Sequence, residues 1–107
     1  MNRINTTFMK VEVRSVHFTA DIKLIDFVKS KLSKLEQFDD HIIGSEVFLR
    51  LDNTNTLENK ISEIRLLIPG QDLFAKKQGK SFEQATDEAV EALRRQLMKR
   101  KGKLNHA

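Results

Sequence analysis

The chain has 107 residues, of which 39% are apolar and 32% charged, with one proline, four glycines and no cysteine. That suits a single domain with one core, and it excludes a low-complexity or disordered chain. The missing cysteines exclude a disulfide scaffold, a thiolate metal site and a cysteine nucleophile.

The formal charge of +4 is concentrated at one end. Arg94 to Ala107 hold six cations and no carboxylate, whereas the first 93 residues hold 13 basic and 15 acidic groups, a net of −2. Charge gathered at one place points to a polyanionic partner. No apolar run approaches the roughly 20 residues of a membrane span. The N-terminus lacks an export signature, so the expected compartment is the cytoplasm and no membrane partner is expected.

Residues 1–9 read as an N-terminal extension, and residues 10–104 as one domain. Lys10 to Val16 alternates, with Val11 and Val13 on one side and Lys10, Glu12 and Arg14 on the other, which predicts a half-buried strand. Asp21 is a good N-cap for a helix carrying Leu24, Ile25, Val28, Leu32 and Leu35 on one stripe and ending near Phe38. Ile42 to Leu51 predicts a second strand, and Asp52 to Thr56 a turn cluster. Ile61 to Ile68 predicts a third strand, closed by Pro69-Gly70. Gln71 to Lys77 predicts a short fourth strand that Gln78-Gly79-Lys80 ends. Ser81 with Gln84 forms a capping box for the last helix, whose stripe is Phe82, Ala85, Ala89, Leu93 and Leu97.

The order β-α-β-β-β-α implies an α+β fold. A four-stranded mixed sheet carries both helices on one face, in an order resembling a double-stranded-RNA-binding domain. The later three strands form a meander, and the first joins through the helix.

Cations gather on the two helices. Lys23, Lys31 and Lys34 share one exposed side of the first helix. On the last helix, Arg95 and Lys99 occupy one flank, and Arg94 and Lys101 the other. Arg100 falls in line with the apolar stripe, so it must lie past the core or snorkel. Lys76, Lys77 and Lys80 are expected to join from the fourth strand, and Lys103 from the C-terminus. Helices packed side by side would merge these into one surface with little competing acid. Such a surface recognises RNA shape and backbone, since nothing in it reads base sequence.

Other groupings carry less. Asp39-Asp40-His41 reads as a helix-ending turn before a metal corner. His17 with Ser15 and Asp21 has triad residue types but no nucleophile motif. No cofactor or metal is expected, and no enzyme. Alternation puts Phe48 and Leu67 on the open sheet face, where pairing across strands is favoured over a contact surface.

Three stretches carry a resemblance. They are Leu24-x-x-Phe27-Val28-x-x-Lys31-Leu32-x-Lys34-Leu35, the run Ser62-Glu63-Ile64-Arg65-Leu66-Leu67-Ile68-Pro69-Gly70, and Ala85-x-Asp87 with Leu93-x-Arg95-Gln96-Leu97-x-Lys99-x-Lys101. In this order and spacing the chain resembles a short form of the ribosome hibernation-promoting factor / ribosome-associated translation inhibitor family. The family often has an aromatic at Glu83 and an aliphatic at Thr86, so looser packing is expected there. The resemblance implies a non-catalytic inhibitor, a monomer when free, with the small ribosomal subunit, its rRNA and 70S ribosomes as partners. It would bind near the decoding centre and block the mRNA and tRNA sites. The alternative is a general double-stranded RNA-binding module; a third reading is a protein-interaction domain using Phe48 and Leu67.

Overall fold

The computed structural model describes residues 9–53 and 57–105, with side chains of the last helix as far as residue 102. The expected extension up to Phe8, the Thr54 to Thr56 part of the turn cluster and the Lys103 side chain lie outside the described residues.

The elements are β1 (Lys10–Val16), α1 (Ile22–Ser33), a 3-10 turn (Lys34–Gln37), β2 (Gly44–Leu51), β3 (Lys60–Ile68), β4 (Gln71–Gly79) and α2 (Phe82–Asn105). The sheet order is β1-β2-β3-β4. β1 pairs parallel to β2, and the other two pairings are antiparallel.

Period-2 alternation sets the two faces. Val47 and Leu49 of β2, Ile64, Leu66 and Ile68 of β3, and Leu73 and Ala75 of β4 enter one core with Leu24, Val28 and Leu32 of α1 and Ala89, Leu93 and Leu97 of α2. Both helices therefore cover the same side. Each of the valine, leucine and isoleucine side chains contributes about 1.5–3 kcal/mol by leaving water, and each alanine less. Met9 is also buried there, and its amide donates to Glu36 Oε2 at 3.0 Å.

Local chemistry explains the ends. Asp21 Oδ1 accepts from the Leu24 amide at 2.8 Å and caps α1. Ser81 Oγ accepts from the Gln84 amide, while Gln84 Oε1 accepts from the Lys80 amide, each at 3.0 Å. The return bond of the box thus lands one residue earlier than expected. Gly70 has φ of 87°, as the second position of the two-residue Pro69-Gly70 turn requires. That turn pairs Ile68 with Gln71 and carries β4 two residues beyond the expected end.

Thr86 does not loosen the packing. It is fully buried, and its hydroxyl bonds to Ser62 Oγ on β3 at 3.1 Å. A polar pair from two elements fills the place of an aliphatic contact, and each hydroxyl satisfies the other.

Candidate nucleic-acid interface

Contacts at three levels show that α1 and α2 run parallel. Phe18, just before α1, stacks on Phe82 at the start of α2, with ring centroids 4.9 Å apart. Midway, Lys31 Nζ is 3.0 Å from Asp87 Oδ1. At the far end, Lys101 Nζ reaches the Phe38 carbonyl at 3.4 Å. Both C-terminal ends therefore meet, and the cations in the last turns offset two negative helix-dipole ends.

The cations along this groove differ in how free they are. Lys31 is paired with Asp87 and lies 5.5 Å from the Phe27 ring centroid. Arg94 hydrogen-bonds Glu91 through two nitrogens, and its guanidinium lies 5.8 Å from the Phe38 ring centroid. Arg95 Nη1 stands 3.5 Å from the same Glu91. The hydrogen bonds from Arg94, and the charges of Arg94 and Arg95, hold the Glu91 carboxyl below its ordinary range against a smaller opposing effect of burial. Lys23, Lys34 and Lys99 are exposed and make no ion pair among the described residues. Little competing acid was expected, and this is corrected: Asp87 and Glu91 stand among the cations. At the shared C-terminal end, the cations without an ion pair among the described residues are Lys34, Lys99 and Lys101, while Lys23 lies at the opposite end of α1.

Arg100 lies past the core as a clamp. Its guanidinium reaches the Pro69 carbonyl at 3.4 Å and Asp39 Oδ2 at 3.6 Å, tying α2 to the β3–β4 turn and to the segment after α1. Asp39 Oδ1 accepts from the His41 amide at 2.8 Å and lies 3.0 Å from His41 Nδ1. Burial alone would raise the Asp39 carboxyl. The His41 amide and ring bonds, with the charges of His41 and Arg100, outweigh it and bring the net below the ordinary value. Asp39, Asp40 and His41 do converge, with potential ligand atoms within 4.8 Å. Their bonds to one another and to Arg100 account for the arrangement as a turn.

The three β4-side lysines do not act together. Ser62 pairs with Lys77, so Lys77 is on the helix side, beside Asp87, Glu88 and Arg95. Glu63 pairs with Lys76, which puts Lys76 on the opposite, open face. Lys80 is exposed ahead of α2, at the end away from the cation cluster. Lys76 is therefore removed from the merged surface, because neighbouring strand residues point to opposite faces.

The open face is electrically mixed. Glu46 pairs with Arg65 at 3.6 Å, Glu63 with Arg50, and Glu12 with Arg14 at 3.8 Å. The expected Phe48–Leu67 pairing does not form. Phe48 is opposite Glu63 and Leu67 opposite Gly44, and Arg14 lies 6.0 Å from the Phe48 ring centroid. Sequence reasoning missed Phe38 as a site residue. It ends an apolar stripe, and only the approach of Arg94 from α2 gives its ring a cationic neighbour.

Among the described residues, no helix is long and apolar enough to cross a membrane. The model of the Sigma 54 modulation protein / S30EA ribosomal protein family matches residues 11–105. A ribosome hibernation promoting factor of Klebsiella oxytoca is 35% identical over 79 residues, covering 74% of this chain and 79% of that protein. A ribosome hibernation promotion factor of Bacillus subtilis is 30% identical over 99 residues, and there the match takes in 91% of this chain but 51% of the relative. Two solved structures share the fold. The Thermus thermophilus Protein Y N-terminal domain superposes with a TM-score of 0.72 at 22% identity, covering 83% of this chain and 96% of that one. A ribosomal subunit interface protein from Coxiella burnetii gives 0.77 at 20% identity, with 88% and 99% covered. With the model matched across almost the whole described chain, and with the four-stranded sheet and paired helices in place, this protein belongs to the Sigma 54 modulation protein / S30EA ribosomal protein family.

Proposed function

We propose that this protein is a ribosome-associated hibernation factor that binds rRNA of the small subunit near the decoding centre and occludes the mRNA and tRNA sites. One observation carries the reading. Lys34, just past α1, and Arg95, Lys99 and Lys101, in the second half of α2, stand on two helices that run parallel with their C-terminal ends together. Folded rRNA presents closely spaced phosphates, and neutralising them releases counterions. The open sheet face, where Glu12, Glu46 and Glu63 each pair with a cation, mixes both signs of charge. Occlusion needs affinity and shape, not chemistry, so the protein acts without catalysis and holds idle ribosomes during slow growth.

The experiment is sedimentation with purified small subunits, 70S particles and a plain RNA duplex at two salt concentrations. Selective, salt-sensitive binding to subunits and 70S particles is expected. Equal affinity for the duplex would favour the general double-stranded RNA-binding module.

A further inference from the structure

The shared helix ends enclose a hollow of about 440 Å³ lined by Glu36, Phe38, Asp39, Asp40, Arg100 and Lys101, among others. Its volume lies within the roughly 300–1,000 Å³ of ligand clefts. Phe38 separates it from a second hollow of about 260 Å³ that Lys34 and Arg94 border. The ring is half-buried and has a guanidinium near it, so it is held in place while still bordering open space.

The hollow is two-ended in charge. The Asp40 side chain is 91% exposed, and its Oδ1 lies 3.3 Å from His41 Nδ1. Lys101 is exposed at the rim, and Arg100 is engaged with Asp39. A duplex backbone would bring phosphates against three carboxylates, so this is a poor seat for it. An unstacked nucleotide fits better, because it is two-ended itself. Its base offers a flat π face and N–H donors, and its phosphate is anionic.

We infer that this hollow takes one unstacked nucleotide, its base against Phe38 and its phosphate toward Lys101. Guanine is the preferred base, since its adjacent N1–H and N2 amino donors match the two oxygens of the Asp40 carboxylate. This deepens the ribosome-binding reading and rests on it: the helix ends would hold a base drawn from a single-stranded rRNA segment as well as the backbone. The same chemistry also describes a free mononucleotide.

The test needs no ribosome. A uridine hexamer, the same hexamer with one central guanosine, and guanosine 5′-monophosphate are titrated by NMR and fluorescence anisotropy. Tighter binding of the guanosine hexamer is expected, with nuclear Overhauser contacts between the Phe38 ring and the guanine. Binding of the hexamer without the mononucleotide assigns the hollow to RNA; Phe38 contacts with the mononucleotide assign it to a free nucleotide. Phe38→Leu should weaken the guanosine hexamer by about tenfold, and Phe38→Tyr should restore it. Asp40→Asn, an exposed change, should remove the preference for guanosine. Equal affinity for the two hexamers, or wild-type affinity in Phe38→Leu with its melting temperature intact, would overturn the inference. Either result would leave subunit binding by the wild-type protein standing, whereas absent subunit binding would sink the broader reading and, with it, rRNA as the source of the base.

Discussion

The two halves of α2 are built for different work. Phe82 to Glu91 holds four carboxylates and no cation, while Ala92 to Asn105 holds six cations and no carboxylate. The first half starts with a side-chain cap, seats Thr86 against Ser62 and presents Asp87 and Glu91 to cations. In the second half Leu97 is the last core residue among the described side chains, and Arg100 ties the helix to the β3–β4 turn. Helix-dipole preference favours this order of charge anyway. Its consequence for function is spatial: the acidic half neutralises Lys31 and Arg94, so attraction for an anion is left at one end.

Changes in each half should have separable effects. The largest is on stability: Thr86→Val leaves the buried Ser62 hydroxyl unpaired and should cost about 1–3 kcal/mol in denaturant unfolding. Adding Ser62→Ala should recover most of that. A cost that persists would mean that packing volume, not the hydroxyl pair, matters there. In the second half, replacing Arg95 and Lys99 together with alanine should leave the unfolding midpoint intact and weaken subunit binding. If each meets one phosphate, the log–log salt slope should flatten by about 1.4–1.8. An unchanged slope removes both from the interface.

Glu91→Gln joins the halves. It releases Arg94 and Arg95 and should tighten subunit binding by a few-fold, whereas weaker binding would mean that Glu91 positions Arg94 for contact. The smallest effect concerns Asp39. Its folded-state pKa lies below the ordinary aspartate value of about 3.9. Its pairing therefore stabilises the fold above that pH, and the contribution is lost as pH falls through the folded value. Asp39→Asn should flatten the acid limb of the stability profile below about pH 4; an unaltered limb would assign acid sensitivity to other carboxylates.

Much of the fold was readable from the chain because local signals agreed. The Ser81–Gln84 box, the aliphatic stripe of α2 and the alternation of β2 and β3 each name one element type. What was missed depends on register between elements. Lys76 and Lys77 are adjacent letters, but the Pro69-Gly70 turn sets β4 against β3 and sends them to opposite faces. Phe48 and Leu67 share a face, yet β2–β3 pairing puts Phe48 against Glu63. Lys31 and Asp87 are 56 positions apart, and only the parallel docking of two helices makes them an ion pair. Thr86 looked like a packing fault because its partner lies on another element. The cationic end was legible as composition; how much of its charge is free was not.

The most direct test of the whole account is lysine acetylation read by mass spectrometry, with and without small ribosomal subunits. The helix-pair account predicts that Lys34, Lys99 and Lys101 become protected while Lys10 and Lys76, on the open sheet face, react as in the free protein. Protection of Lys10 and Lys76 with Lys34 and Lys99 still reactive would contradict it and place the ribosome on the other side of the sheet.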